Sequence, residues 1–406
     1  MSKIAIFGYG TIGSGVAEVL NKKREHIKKQ AGEEIEVKYV LDLRDFPGDP
    51  VEEILVHDVN VILNDPEVDI VVEVMGGVHP AYEYVKSALL AGKSAVTSNK
   101  ALVAACGPEL LKIARERNLN FQFEASVGGG IPIVRPLEDA LTAGDASGIY
   151  GILNGTTNYM LTKMFDDEMS YEDALAQAQA LGYAERDPSA DVEGFDACRK
   201  IAILASVASG QFVDYQEIPT RGIVGITQED MALADLLGYG IKLIGSFSRE
   251  DGKNYAEVTS MLVPFDHALY PVKDVYNGIL VDGDINGAIM FYGSGAGKLP
   301  TAGAVVADVI DITKNAGRTV QAGYSEEKLP LADLSAKKRA FYVRVNGVSA
   351  ENDEKARAFA SSFGADSYTE IESGTYAFIT EPMTRAAVDQ LCANVAGSCN
   401  VIPVIG

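Results

Sequence analysis

Three glycines, Gly8, Gly10 and Gly13, follow the short apolar run Lys3–Phe7 and open a stretch, Thr11 to His26, whose apolar residues recur at helical spacing. Such a loop can take a pyrophosphate. The first glycine permits the tight turn, the second lets backbone amides approach the phosphates, and the third allows close helix–strand packing. GxGxxG alone is a weak signal. Here it has a strand before it, a helix after it, and an acid, Asp42, at the end of the second strand. Asp42 suits the ribose hydroxyls of NAD. Arg44, two residues on, suits the 2′-phosphate of NADP or a solvated loop, and the residues leave the choice open.

A second constellation lies far downstream. Asp196 and Lys200 stand four residues apart, hence on one helical face, and the run after them, Ile201 to Ala208, is almost wholly apolar. Most such pairs are solvated and contribute only about 0.3–0.5 kcal/mol. This one opens a buried element, beside a loop carrying further acids that include Glu185 and Asp191.

The elements that must position these groups read as follows. Ile35–Leu41, Val59–Leu63, Val68–Val74 and Ser94–Thr97 have strand character, and Ala81–Ala91 and Pro108–Asn118 have helical character. Strands alternating with helices make residues 1–130 a doubly wound α/β domain with a parallel sheet. Residues 131–320 read as an α+β substrate and dimerisation domain. Its expected helices are Tyr159–Asp166, Tyr171–Leu181 and Ala197–Ser209, with antiparallel strands at Tyr255–Val263 and Gly278–Val281. The helix 301–315 is expected to pack back onto the first domain. The polar stretch Arg318–Lys338 reads as a linker. Residues 338–406 give strand, helix, strand, strand, helix, strand (Phe341–Val345, Glu354–Phe363, Ser367–Glu372, Tyr376–Thr380, Thr384–Ala393, Asn400–Val404), a ferredoxin-like order.

Bulk properties narrow the function. A net charge of −22 repels phosphate-rich partners and argues against nucleic acid. An anionic cofactor must therefore be held by local groups. The cysteines Cys106, Cys198, Cys392 and Cys399 show no CxxC, which suits a reducing cytoplasm. Four scattered histidines give no zinc motif. The N-terminus has no signal-peptide pattern, and no apolar run approaches the ~20 residues that span a bilayer.

Five further segments carry a resemblance: Ser98-Asn99-Lys100-Ala101, EASVGGGIPI at 124–133, GILNGTTNYML at 151–161, LGYAERDPSADVEGFDACRK at 181–200 and GAGKLPTAG at 295–303. With the glycine loop they resemble the homoserine dehydrogenase family across about residues 1–320. The resemblance implies a Rossmann domain, NADP or NAD as cofactor, and L-homoserine or aspartate semialdehyde as small-molecule substrate. It makes Lys200 the group that exchanges the proton of the substrate hydroxyl. A lysine at its ordinary pKa donates well and accepts poorly at neutral pH, so that role needs surroundings that lower it. It also implies that Glu185 and Asp196 hold the substrate, whose ammonium suits carboxylates, with Asp191 a third. Lys100 would reach cofactor and substrate together. Thr11, Ile12, Gly182 and Gly297 would join Gly8, Gly10, Gly13, Asp42 and Arg44 at the cofactor. Glu124 with the carbonyls of Val127, Gly129 and Ile131 resembles a sodium site.

The tail resembles an ACT domain, an amino-acid-binding regulatory fold, and implies a possible amino-acid effector such as threonine. Where such domains carry an Asp-x-Pro-Gly turn, this chain has Val345-Asn346-Gly347-Val348-Ser349. The tail is therefore expected to serve mainly assembly into a homodimer or homotetramer. A chain ending near Gly323 is expected to fold and turn over without it. Two other readings stand beside this one. A semialdehyde oxidoreductase of the aspartate-semialdehyde dehydrogenase kind would need a nucleophilic cysteine and a histidine base, and neither Cys106 nor Cys198 sits in such a loop. A non-catalytic dinucleotide sensor would not need Glu185, Asp196 and Lys200.

Overall fold

The computed structural model describes residues 1–320, 323–346, 353–365, 368–371, 375–393 and 398–405. The chain divides into two compact units. One comprises Met1–Ile149, Arg199–Glu217 and Val281–Pro330, the other Tyr150–Cys198, Ile218–Leu280 and Leu331–Gly406.

The first unit is built on β1 (Ser2–Phe7), β2 (Ile35–Leu41), β3 (Leu55–Val56), β4 (Ile70–Glu73), β5 (Ser94–Thr97) and β6 (Phe121–Gln122). These form one sheet of order β3-β2-β1-β4-β5-β6, with every pair parallel. Strand order reverses between β1 and β4, and that switch point leaves a crevice at the strands' carboxyl ends. Ile4, Ala5, Ile6 and Phe7 are fully buried, as a strand covered on both faces requires. Helix α1 (Thr11–Lys22) follows β1, α2 (Arg24–Ala31) precedes β2, and α4 (Ala81–Leu90) joins β4 to β5. The distant helix α11 (Lys298–Lys314) shares their core, with Val305, Val309 and Ile312 packed in one cluster with Ile4, Ile6 and Val16.

Three sequence expectations for this unit are corrected. Val59–Leu63 is not a strand but the short helix α3, because the Asp58 carboxylate caps the Asn60 amide at 2.9 Å. The helix expected from Pro108 starts at Lys100 as α5 (Lys100–Glu116), since Asn99 caps Ala101 and Leu102, both at 3.1 Å. Pro108 is tolerated inside it. The stretch beginning at Arg318 is no free linker. Tyr324 is buried and donates to the Val103 carbonyl, and a Cβ at Gly107 would collide with its hydroxyl. Lys328 bridges to Phe212.

The second unit holds α6 (Gly155–Asp166), α7 (Tyr171–Ala180), α8 (Ser189–Val192) and α10 (Gln228–Leu236). Helix α9 (Phe195–Ser209) begins in it and crosses the division after Cys198. A five-stranded sheet of order β11-β10-β7-β8-β9 is formed by β7 (Ala146–Ile152), β8 (Tyr239–Glu250), β9 (Lys253–Pro264), β10 (Tyr276–Gly283) and β11 (Gly287–Ser294). The β8–β9 hairpin turns at Asp251-Gly252, both at positive φ, which matches the twist of the flanking strands.

The tail adds β12 (Lys338–Arg339), β13 (Phe341–Asn346), α12 (Asp353–Ser362), β14 (Thr369–Ile371), β15 (Thr375–Ile379), β16 (Met383–Thr384), α13 (Arg385–Cys392) and β17 (Ser398–Pro403). Its four-stranded antiparallel sheet, β14-β15-β13-β17, has the ferredoxin-like order. The turn residues Gly347, Val348 and Ser349, and Ser367 of one expected strand, lie outside the described residues.

Alternation along β13 explains how this sheet is held. Phe341, Val343 and Val345 face the module's own core with Phe363 and Phe378. Tyr342 and Arg344 point the other way, into a buried polar network. Arg344 Nε stands 3.2 Å from the Asp230 carboxylate of α10, which also accepts from Asn400 at 3.1 Å and from the Tyr342 hydroxyl at 3.3 Å. The chain end then covers the β9 edge, where Ile405 donates to the Leu262 carbonyl at 2.9 Å. A covered edge is protected from stray pairing. The tail is thus bonded into the second unit, and a chain ending near Gly323 would lose these bonds. Such a truncation would leave Asp230 with Thr227 as its donor and would remove the Ile405 bond from Leu262.

Arg344→Ala would take the charged partner from a fully buried carboxylate. It is expected to lower the unfolding free energy by roughly 3–5 kcal/mol, measured as the shift of a urea transition. An unchanged midpoint would show that Asp230 is satisfied without the guanidinium.

Candidate active site

The glycine loop has the geometry its spacing called for. Gly8 sits at φ +96°, and a Cβ there would stand 2.9 Å from Met75 Cγ. A Cβ on Gly13 would collide with the Gly8 carbonyl. Gly10 differs. A Cβ there would meet nothing within 4 Å, because Gly10 is the N-cap of α1 and faces open space. An exposed helix N-terminus with no side chain over it is a cradle for phosphate, and Thr11 and Ile12 are its first two helical residues. The residues present fit a dinucleotide.

Asp42 closes this end of the crevice. Its carboxylate accepts from the Tyr9 amide at 2.7 Å and from Arg44 Nε and Nη2, each at 2.9 Å. The Arg44 fork holds Asp42 well below the usual carboxylate range, against the opposing pull of burial. Arg44 also lies over the Phe46 ring, 5.2 Å from its centroid.

Beside the switch point, at the end of β4, a residue that sequence reasoning missed organises the crevice floor. Glu73 is fully buried and accepts from the Met75 amide at 2.7 Å and the Thr97 hydroxyl at 2.5 Å. Burial pushes its carboxyl up. Asn99, which caps α5, reaches the Gly77 carbonyl at 2.5 Å, so this network sets the start of the helix whose first residue is Lys100.

Glu124 does not present a bare carboxylate. Its oxygens accept from the amides of Ile133, Val134 and Arg135 at 2.6, 2.8 and 2.8 Å. Asp308 receives the Glu124 amide at 3.0 Å and pairs with Arg135, and burial drives its carboxyl far upward. Val127 and Ile131 are buried. Among the described residues no donor reaches the carbonyls of Val127, Gly129 or Ile131. Backbone carbonyls without a donor in a glycine loop are ligands of the kind a hard cation takes. Gly129 has a packing reason too, since a Cβ there would stand 2.6 Å from the Gly295 carbonyl.

In the second unit, Asp196 lies in the first turn of α9 and is buried, Asp191 on α8 is half-buried, and Glu185 is exposed in the loop before α8. Asn154, the N-cap of α6, donates to both aspartates, to Asp191 at 2.7 Å and to Asp196 at 2.8 Å. Lys200 is the sixth residue of α9 and is 9% exposed, so the Asp196–Lys200 pair is not the solvated surface pair its spacing alone suggested. Gly182 follows the last turn of α7 at φ +75°, with its amide 3.1 Å from the Gln179 carbonyl, so helix termination by itself calls for glycine there. Gly297 caps α11 at φ +118°, a second helix N-terminus with glycine as its cap, where a Cβ would stand 3.5 Å from Pro300 Cδ.

Comparison with known proteins agrees with this arrangement. A family model described as "Homoserine dehydrogenase, NAD binding domain" matches residues 8–124, and one described as "Homoserine dehydrogenase" matches 132–310. The homoserine dehydrogenase of Bacillus subtilis is 42% identical over 317 residues, covering 77% of this chain and 73% of that protein. The crystal structure of a homoserine dehydrogenase from Thiobacillus denitrificans superimposes with a TM-score of 0.91 at 33% identity, covering 100% of this chain and 98% of that one. A hyperthermophilic archaeal homoserine dehydrogenase mutant in complex with NADPH gives 0.67 at 28% identity, covering 77% of this chain and 98% of its own.

The α6 segment that carries Asn154 also buries a lysine. Lys242 Nζ donates to the Val272 carbonyl at 2.6 Å and to Asn158 Oδ1 at 3.2 Å. Burial lowers its pKa to about 8. Between that value and roughly 10.4, its value in an unfolded chain, only the unfolded chain holds the proton, so stability rises with pH across the window. Below pH 8 the burial cost is present in full. Lys242→Met should remove this slope, seen as urea midpoints of parent and variant that diverge between pH 8 and 10. Parallel profiles would contradict it.

Proposed function

The chain belongs to the homoserine dehydrogenase family, and on that premise we propose that Lys200 carries the substrate proton while Asp196, Asp191 and Glu185 receive the substrate ammonium. The reaction is the NAD(P)-dependent interconversion of L-homoserine and L-aspartate 4-semialdehyde. The observation that carries the assignment is the burial of Asp196 and Lys200 one turn apart on α9, at the head of a helix whose continuation, Ile201 to Ala205, is buried and apolar.

When bound, the nicotinamide takes the hydride from the hydroxyl-bearing carbon or returns it. Lys200 Nζ accepts the hydroxyl proton as that hydride leaves, and gives it back in the reductive direction. The carboxylates fix the amino end of the substrate, so the reacting carbon is oriented before chemistry begins. Lys100, at the head of α5 on the Glu73–Asn99 network, is the cation we assign to cofactor and substrate together. Gly8, Gly10 and Gly13 admit the pyrophosphate to the α1 N-terminus, and Gly297 lets backbone approach the cofactor at the α11 N-terminus. Gly182 shapes the loop ahead of Glu185. A sodium ion would be held by the carbonyls of Val127, Gly129 and Ile131 with Glu124 supplying charge, and would stiffen that loop.

Both NADP and NAD are read as cofactors, with Asp42 serving the ribose hydroxyls and Arg44 leaving it for a 2′-phosphate. The NADPH found with the archaeal relative supports the second role. The four cysteines form no disulfide with one another, which suits the cytoplasm we assign to the protein. No helix among the described residues is long and apolar enough to cross a membrane. A homodimer or homotetramer is supported by the unpaired outer edge of β11, where Tyr292 is exposed. The tail's amino-acid effector role rests on its ferredoxin-like topology.

Lys200→Ala should lower turnover roughly 10²–10⁴-fold with the cofactor still bound. A variant keeping more than about a tenth of the parent turnover, outside that range, would remove Lys200 from proton transfer. Arg44→Ala should cut kcat/KM for NADP roughly 10–100-fold, as expected for one lost bond to a charged group, and spare NAD. Equal losses with both cofactors would assign Arg44 to the fold rather than to the phosphate.

A further inference from the structure

We infer that Asn154 is the positioning residue for the ammonium of homoserine, because its single side-chain amide fixes Asp191 and Asp196 together; this rests on those aspartates binding the substrate. Asn154 is 6% exposed at the N-cap of α6. Its amide can face only one way. Oδ1 accepts from the Thr157 amide at 2.8 Å, a group that can only donate, and from the Thr157 hydroxyl at 2.9 Å. Nδ2 is therefore turned to the acids. It gives Asp191 Oδ1 a bond of 2.7 Å and Asp196 Oδ2 one of 2.8 Å.

An amide nitrogen has two hydrogens, so both are committed. The consequence is a fixed relation between two carboxylates on different helices. Asp191 lies on α8 and Asp196 on α9, and the chain between them turns at Gly194, whose φ is +88°. The shared donor is a tie common to both acids. With it, one oxygen of each is anchored to the same atom, and the like charges stay close. An ammonium has three N–H donors and suits a close pair of acids. The neighbouring Thr156 contributes nothing to this pair, since its hydroxyl is given to the Tyr183 carbonyl at 2.6 Å.

Asn154 also caps α6, and a cap alone would explain its burial. Asn154→Asp separates the two roles. Aspartate caps a helix about as well as asparagine, so Oδ1 would still accept from Thr157. The donor to Asp191 and Asp196 would be replaced by a third acceptor. The expected result is a rise of at least roughly thirtyfold in KM for homoserine, the scale of lost bonds to charged groups, with KM for the cofactor held within about threefold. Lowering the pH from 8 to 6 should then reduce that raised KM, because the introduced carboxyl can donate again once protonated, while the parent shows no such gain. Asn154→Ser, which keeps a cap but offers a single hydrogen, should fall between parent and Asn154→Asp.

Cofactor binding and thermal unfolding of each variant report whether it is folded. If Asn154→Asp fails to fold, Asn154→Ser carries the test. A folded variant with parental KM for homoserine at every pH would make Asn154 a cap and nothing more. Asp196→Asn, assayed alongside, keeps the two readings apart. If it leaves KM for homoserine unchanged, the substrate assignment itself fails. If it raises KM while both Asn154 variants do not, only the positioning role is overturned.

Discussion

A carboxylate withdrawn from water costs several kcal/mol unless donors are aimed at it, and the working parts of this protein are arranged around meeting that demand. Asp42 is met by a backbone amide and a guanidinium, Glu73 by the Met75 amide and the Thr97 hydroxyl, and Glu124 by three successive amides. Asp191 and Asp196 share one side-chain amide. The donors sit at strand ends, in loops and at helix starts around the crevice and α6. The anchored acid therefore orders the backbone around it as well as presenting charge. A chain carrying a net charge of −22 can cradle an anionic cofactor only if its acids are held like this and bare helix N-termini are left to face the phosphates.

The topology supplies those helix starts. A parallel sheet whose order reverses between β1 and β4 places strand ends, turns and helix N-termini along one edge. Glycine is needed only where backbone approaches backbone. Gly13 abuts the Gly8 carbonyl, while Gly10 abuts nothing and leaves room. In the second unit the equivalent work falls to short polar caps. Asn154 starts α6 and Thr227 starts α10, and each also touches an acid that lies on another element or on its own first turn. The Asp230 network then binds the C-terminal module to α10, so the module is part of that unit's interior rather than an appendage.

Much of this was legible in the amino-acid sequence. The glycine loop, Asp42 and the parallel architecture follow from local spacing, since each needs only a strand, a turn and a helix in order. The tail's βαββαβ order was legible for the same reason. What escaped were interactions closed over long distances in the chain. Val59–Leu63 has strand character as a string, yet one aspartate before it starts a helix. Pro108 reads as a helix start until Asn99, nine residues earlier, is seen capping the turn that precedes it. Arg318 onward reads as a linker because its composition is polar, while Tyr324 beside α5 and Lys328 beside Phe212 anchor it. Glu73 and Asn154 carried no motif for a charge-holding role, because their partners come from other segments. The signal that could have found Asn154 is the run Asn-Gly-Thr-Thr-Asn, too polar for a buried helix start unless each side chain is spoken for.

The central claim is that fixed carboxylates read the ammonium of the substrate before the hydroxyl is oxidised. Cofactor reduction with 4-hydroxybutyrate, which keeps the chain, the hydroxyl and the carboxylate of homoserine but lacks the amine, tests it directly. With homoserine as the reference, kcat/KM should fall at least roughly a hundredfold, the scale of a buried charged partner left unmatched. Comparable efficiency with the two substrates would contradict the account, because the aspartates would then be holding the fold and not the substrate.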